Sequence, residues 1–284
     1  MPIPPENRQG ALARQFVRPG PHPNHSVINY LRWLATSPRR TRVGADAIAR
    51  HVGRSVPDRW RRDFAGKHIL VVGSGPSLDR VAPDFFAPFD TILYINFALR
   101  RRLGHATDYF FSTDGGPIGE LIAADGPKPF RDLGTERSLF APIFPDQWGF
   151  FTPAGRDLFT WLRADAYAWR TQPTRIGPFR LPLVLHYHPV QPDWAGFTLG
   201  GPSRSMPVLD DTSAFTAVLF AAMQGAERIG LIGCDLTAGR AASVHSEQIT
   251  PDVSVFAGAA PRFRLIASAL ARQGVAVTNH SWDV

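Results

Sequence analysis

The chain contains a single cysteine, Cys234, among 284 residues, so no disulfide can form within it. A lone cysteine in an apolar segment is typical of proteins that stay in a reducing compartment, and a cytoplasmic location is expected. No apolar run approaches the roughly 18 residues of a membrane-spanning helix. Residues 1–23 are polar and proline-rich where a signal peptide would be apolar. We therefore expect neither a transmembrane segment nor a secretory leader.

Two common nucleotide-binding motifs are also missing. Residues 68–80 run from an apolar strand into Gly-Ser-Gly-Pro-Ser, but Leu78 stands where a dinucleotide-binding turn has its third glycine. The second apolar strand ends in Asn96 rather than in the carboxylate that holds the ribose of NAD. No Gly-Lys-Ser or Gly-Lys-Thr follows at P-loop spacing. The sequence thus argues against NAD and against a P-loop.

The composition is that of a folded globular protein, with 44% apolar and 19% charged residues. From residue 68 onward, short apolar segments alternate with helical ones, which predicts an α/β fold: a Rossmann-like, mostly parallel sheet with helices on both faces. We expect strands at 68–73, 91–96, 108–112, 137–141, 182–186, 228–233 and 275–279, and helices at 77–82, 97–103, 155–169, 212–225 and 261–273.

The excess positive charge of the chain lies at its start. Residues 1–67 hold 13 Lys and Arg against 4 Asp and Glu, while residues 68–284 hold 18 against 20. We expect residues 1–67 to form a basic N-terminal arm with short helices at 26–36 and 45–52. This arm is expected to contact an anionic membrane surface, so that the protein is peripheral to the inner membrane. A merely solvated arginine-rich face is the alternative. Nucleic acid is not an expected partner, because no nucleic-acid module accompanies the arginines.

Residues 68–284 form the expected nucleotide-binding domain. Within it, residues 142–207 are rich in proline and aromatic residues and have weak periodicity, which is typical of a functional insert. We expect a lid on the acceptor side of the site. The alternative is that these aromatic residues build a small second core.

Polar residues follow several of the predicted strands. The turn after the first strand is expected to expose backbone N–H groups that bind a phosphate, together with the start of the next helix. Because the carboxyl ends of parallel strands meet at one edge, the other polar groups there are expected to bind a base and ribose. The candidate nucleotide-binding residues of these strand ends are Gly73, Ser74, Gly75, Pro76, Ser77, Asn96, Ser112, Thr113, Asp114, Asp235 and Thr237.

Two aspartates and a histidine are the candidate catalytic residues. Asp210 and Asp211 stand at the start of the alanine-rich helix, where at most one of them can be the N-cap. The other is a candidate nucleophile, base or stabiliser of a developing cation. His245 lies in a polar loop after the strand ending at Asp235 and is a candidate base, with an inert loop histidine as the alternative. His280, after the last strand, is a weaker candidate.

Five segments of the chain carry a resemblance to known enzymes: Ile69–Leu78, Ile92–Phe97, Asp108–Thr113, Asp211–Phe215 and Arg228–Asp235. In order and spacing they resemble the bacterial sialyltransferases of glycosyltransferase family 42. They are also similar to the retaining β-Kdo transferases and to the motility-accessory glycosyltransferases that share a Gly-Pro-Ser-Leu signature. The resemblance covers roughly residues 68–284.

The resemblance implies an enzyme that uses a CMP-activated 2-keto sugar acid, such as a sialic acid or Kdo, without metal or further cofactor. The acceptor would be a surface glycan or glycolipid. The nucleotide would be held by the turn at 73–77 and by polar groups that include Asn96, Ser112, Thr212 and Ser213. His245 matches the base of the sialyltransferases.

Three departures from the sialyltransferase pattern favour a Kdo-type enzyme. Ser74 replaces an asparagine, the phosphate-binding tyrosines are missing, and Asp210-Asp211 replace an arginine. Carboxylates there would repel the donor carboxylate of a sialyltransferase substrate, but an aspartate is the covalent nucleophile in the retaining β-Kdo transferases. The resemblance therefore implies transfer of Kdo with Asp211 or Asp210 as nucleophile.

Three alternatives stay open. One is a sialyltransferase with His245 as base. Another is a pterin or nucleotide pyrophosphokinase, which would require ATP and magnesium, since a related archaeal group shares the Gly-Pro-Ser-Leu turn. The third is a noncatalytic nucleotide-binding module.

Overall fold

A computed structural model describes most of the chain from residue 54 onward. The described residues are 54–105, 107–142, 153–165, 167–176, 179–189, 192–207, 212–237, 239–244 and 258–283, with five isolated helical positions before residue 51. The helices expected at 26–36 and 45–52 fall almost wholly outside this part.

The described residues contain a seven-stranded sheet in which all neighbouring strands are parallel. Its spatial order is β11-β10-β1-β2-β3-β4-β5. The strands are β1 (His68–Val72), β2 (Thr91–Ile95), β3 (Asp108–Ser112), β4 (Ser138–Phe140), β5 (Thr160–Trp161), β10 (Arg228–Ile232) and β11 (Ala276–Asn279). The chain runs outward from β1 to β5 and then returns to the other side of β1, so the direction of winding reverses between β1 and β10. Ligands of open α/β sheets bind beside such a reversal, at the carboxyl ends of the strands.

Helices and 3₁₀ turns cover both faces of the sheet, because its strands are apolar on both sides. Ile69 and Val71 face one core cluster, and Leu70 and Val72 face the other. The first cluster includes α1 (Asp58–Phe64), α5 (Ser213–Met223) and α6 (Ala259–Ala271), and the second includes α2 (Gly115–Asp125) and α3 (Lys128–Leu133). Among the described helices, none has both the length and the apolar character to cross a membrane.

The α/β, Rossmann-like architecture expected from the sequence is confirmed, as are most of its strands. The prediction of a helix at 155–169 is wrong. That stretch contains only the short α4 (Pro153–Arg156), followed by β5, β6 (Arg163–Asp165) and the start of β7 (Tyr167–Ile176). Trp161 is fully buried in the second core cluster, so its place in the sheet outweighed the local helical pattern.

The insert at 142–207 contributes to the main sheet as well as to structure of its own. Its strand β5 pairs with β4, while β6 pairs in parallel with β9 (Ser205–Pro207). β7 and β8 (Phe179–Pro189) form a long antiparallel hairpin. At least part of the insert therefore belongs to the main domain rather than to a separate second core.

The core also begins before residue 67, where the N-terminal arm was expected to end. Trp60 and Phe64 of α1 are fully buried in the first core cluster. The Trp60 ring meets Phe220 edge to face at 5.2 Å, and its indole N–H donates to the Glu136 carbonyl at 2.8 Å. Helix α1 is thus packed as part of the sheet domain.

The turns after β1 and β10 approach so closely that both need glycine. A Cβ on Gly73 would lie 2.3 Å from the Gly233 carbonyl oxygen, and one on Gly233 would lie 2.2 Å from the Gly73 carbonyl oxygen. Gly233 also has a φ of +67°. The two turns therefore pack backbone against backbone, at the point where the winding of the sheet reverses.

Substitution Gly233→Ala should be much more destabilising than Gly66→Ala. Both glycines have nearly the same positive φ, but a Cβ on Gly66 would meet nothing within 4 Å. Gly66→Ala should cost only the left-handed backbone penalty of about 1–2 kcal/mol. Gly233→Ala should cost roughly 2 kcal/mol more, because the two turns must separate. Urea denaturation measures both, and equal losses would contradict the close packing.

Candidate functional site

A pocket of about 320 Å³ opens at the carboxyl ends of β10, β1, β2 and β3. That volume lies at the lower end of the range of small-molecule sites, roughly 300–1,000 Å³. With neighbouring strands about 4.8 Å apart, four strand ends span roughly 14 Å. The pocket is therefore an elongated site beside the reversal of winding.

Most of the nucleotide-binding residues expected from the sequence line this pocket. Those that do are Gly73, Ser74, Gly75, Asn96, Thr113, Asp114, Thr212, Ser213, Asp235 and Thr237. Pro76, Ser77 and Ser112 are not among its lining residues. Ser77 and Ser112 are fully buried, and both support residues that do line the pocket.

The β1 turn differs from the expectation that it exposes its backbone N–H groups to a phosphate. The N–H of Gly73 donates to the Ile232 carbonyl and that of Gly75 to the Gly233 carbonyl, each at 2.7 Å. The N–H of Ser77 donates to Asp235 at 3.1 Å. Residues Pro76–Arg80 form a five-residue 3₁₀ turn rather than an α-helix. These donors therefore hold the two turns together and are not free for a ligand.

Ser77, which is buried and does not line the pocket, fixes the β10 turn. Its Oγ donates to Asp235 Oδ2 at 2.9 Å and accepts from the Gly233 N–H at 3.0 Å. From the other side, Ser281 Oγ accepts from the Cys234 N–H at 2.9 Å, and the Asn279 amide donates to the Cys234 carbonyl at 3.1 Å. The turn that carries Asp235 is thus held by side chains of two separate segments.

Asn96 is held so that its amide N–H₂ is available to a ligand. Its Oδ1 accepts from Ser112 Oγ at 2.7 Å, and Ser112 Oγ also accepts from the Asp114 N–H at 3.1 Å. Asn96 has a φ of +51°, a left-handed conformation that asparagine tolerates better than most residues. Leu236, also in the pocket wall, has a φ of +57°, which is a genuine outlier for leucine. Strained backbone of this kind is concentrated at functional sites.

The amino terminus of α5 also lies in the pocket wall. Its N-cap is Thr212, whose Oγ1 accepts from the Ala214 N–H at 3.2 Å, so the alternative that an aspartate is the cap is ruled out. Ser213 Oγ lies 2.5 Å from Thr113 Oγ1 and joins the helix to the end of β3. Helix α5 has eleven residues, so its amino terminus carries a partial positive charge, and Thr212, Ser213 and Ala214 place that terminus at the pocket.

Arg240 is a pocket residue that the sequence analysis missed. Among the described residues that line the pocket, it alone carries a positive charge, while Asp114 and Asp235 carry negative ones. Burial lowers the pKa of Arg240, but an arginine stays protonated in proteins. A signal was present in the sequence, since Arg240 is the only Lys or Arg between Asp235 and Gly258.

The candidate catalytic residues Asp210, Asp211 and His245 lie outside the described residues. In the chain, Asp211 directly precedes the pocket residue Thr212. His280 is described and is not a lining residue of the pocket. Its ring packs edge to face on Phe85 at 5.5 Å.

Cys234 is a buried thiol in the pocket wall. It is 6% exposed, and burial, with a further contribution from the Asp235 carboxylate, raises its pKa to about 12. The thiolate is the reactive form, so Cys234 is unreactive near neutral pH. The Cys234 thiol therefore fills space in the pocket wall in its protonated form.

Comparisons of this chain with models of protein families, with curated proteins and with solved structures found no match.

Labelling of Cys234 with a maleimide should report opening of the pocket wall. At about pH 8, the folded protein should react at least about 100-fold more slowly than the chain unfolded in guanidinium chloride, because the thiol is buried and protonated. The chain has no other cysteine, so the signal has one source. Equal rates in the two states would contradict the buried position of Cys234.

Proposed function

We propose that this chain is a glycosyltransferase that moves a 2-keto sugar acid, with Kdo favoured, from a CMP-activated donor to a surface glycan or glycolipid. The observation that carries the proposal is the pocket at the four strand ends. It combines one cation, a helix amino terminus and several uncharged hydrogen-bonding groups with the carboxylates of Asp114 and Asp235. Each of these features has a counterpart in such a donor.

The donor contains two anionic groups, a phosphodiester and the carboxylate of the sugar. The pocket offers two features that attract anions, the amino terminus of α5 and the guanidinium of Arg240. Arg240 also lies in the segment where the resembling sialyltransferases use tyrosines for the phosphate. We infer that Arg240 binds the phosphate in place of those tyrosines.

The cytidine would be bound by Asn96 after β2, by hydroxyl groups at the start of α5 and by the Asp235 carboxylate after β10. The free amide N–H₂ of Asn96 donates to base acceptors, and hydroxyls such as that of Thr212 bond in either direction. Asp235 has carboxylate oxygens that accept from Ser77, and it retains acceptor capacity for ribose hydroxyls. Neutral and acceptor groups of this kind suit a base and ribose, while the positive features suit the anions of the donor.

The transfer would proceed by double displacement on an aspartate. In the first step the carboxylate of Asp211 or Asp210 attacks the anomeric carbon, and the bond from that carbon to the phosphate oxygen breaks, so CMP leaves with the electron pair. In the second step an acceptor hydroxyl attacks the same carbon, its proton passes to His245, and the aspartate is released. Two inversions give net retention.

Loss of the Arg240 charge should weaken binding of CMP. Arg240→Gln should lower the affinity roughly 10- to 100-fold, since a charge-assisted hydrogen bond contributes about 1.5–3 kcal/mol. Isothermal titration with CMP measures this, and the thermal shift caused by CMP should shrink in parallel. The matched control is Arg62→Gln, an exposed arginine on α1. If CMP neither binds nor raises the melting temperature of the unsubstituted protein, the proposed function is wrong.

A covalent sugar adduct should form on the aspartate pair. When the protein is incubated with CMP-Kdo without acceptor, mass spectrometry should find a Kdo increment on the peptide that contains Asp210 and Asp211. Asp211→Asn should abolish the adduct if Asp211 is the nucleophile, and Asp210→Asn is then the control that retains it. Turnover without any adduct, lost in His245→Ala, would instead indicate direct displacement as in sialyltransferases.

A further inference from the structure

The loop after β10, residues 239–244, lies against the β1 turn and carries Arg240 into the pocket wall. The Ala241 N–H donates to the Ser74 carbonyl at 2.9 Å, and both Ala241 and Val244 are 1% exposed. A Cβ on Gly239 would lie 2.8 Å from the ring of Pro76. The β10 loop is therefore packed on the Gly-Pro-Ser-Leu turn along its length.

Two charged side chains bind the backbone of this loop. Asp79 accepts from the Ala242 N–H at 2.6 Å through Oδ2 and from the Ser243 N–H at 3.4 Å through Oδ1. Arg100 donates to the Val244 carbonyl at 2.9 Å through Nη1 and is held by Asp125 at 2.8 Å through Nε. Both contacts are made to backbone atoms, so they fix the path of the loop whatever side chains it carries.

We propose that Asp79 is a positioning residue that holds the β10 loop so that the Arg240 guanidinium meets the phosphate of the bound nucleotide. The proposal rests on the proposed function. Asp79 follows directly after the Gly-Pro-Ser-Leu segment, so the turn that packs under the pocket also supplies the carboxylate that holds its cation-bearing loop. Arg100 has the same effect from the segment after β2.

The position of Asp79 implies a specific effect on ligand preference. If the β10 loop is loosened, Arg240 is misplaced. The affinity for ligands that have a phosphate should then fall. Cytidine has the base and ribose of CMP but lacks the phosphate, so its binding should not depend on the loop. A general structural weakening would instead change the affinity for both ligands or for neither.

The test is Asp79→Asn, which keeps the size of the side chain but places an amide N–H₂ against a backbone N–H. Titration calorimetry should give an affinity for CMP about tenfold lower, with that for cytidine changed less than about twofold. Amide hydrogen exchange at Ala242 and Ser243 should become faster. Asp84→Asn, an exposed aspartate in the next 3₁₀ turn, is the matched control and should change neither quantity.

Arg100→Gln provides a second variant if Asp79→Asn does not fold. It removes the contact to the Val244 carbonyl and should again reduce binding of CMP but not of cytidine. Unchanged CMP affinity in a folded variant, or equal losses for CMP and cytidine, would overturn the positioning role while leaving the proposed function intact. If the unsubstituted protein binds neither ligand, the proposed function fails and this proposal fails with it.

Discussion

The direct packing of the β1 turn on the β10 turn is the contact on which the rest of the site depends. Glycine at 73 and 233 lets the two backbones approach, and the Ser77 hydroxyl then bonds both the Gly233 N–H and the Asp235 carboxylate. Leaving such buried groups unpaired would cost roughly 1–3 kcal/mol each. The two turns therefore behave as one rigid unit, and the position of Asp235 at the pocket follows from that unit.

The polar residues at this edge of the sheet divide into those that support the pocket and those that face it. Ser77 and Ser112 are fully buried and bond neighbouring residues, while Asn96 and Asp235 receive those bonds and line the pocket. Supporting hydrogen bonds of this kind fix the rotamers of ligand-facing groups before a ligand arrives. Preorganisation reduces the entropy that binding must otherwise overcome.

The sequence predicted the sheet and much of the pocket, because both follow from local pattern. Apolar strands are readable from composition, and Asn96 and Thr113 are found at the pocket because they come directly after such strands. Contacts between residues far apart in the chain could not be predicted from the sequence. Nothing in the local sequence indicates that the N–H of Gly73 and of Gly75 would donate to the β10 strand and turn. Arg240 was missed because its loop has no periodicity that predicts where it packs.

The use of the turn N–H groups within the protein also bears on which ligands the fold can accept. In dinucleotide-binding folds the diphosphate sits on the first turn and on the helix that follows it. Here the N–H groups of Gly73, Gly75 and Ser77 donate to the protein, and the following helix is only a short 3₁₀ turn. Positive potential lies instead at the start of α5 and at Arg240, in other parts of the pocket wall. A diphosphate therefore lacks the binding place that it has in dinucleotide-binding folds, and the anionic groups of a ligand are attracted to the start of α5 and to Arg240 instead.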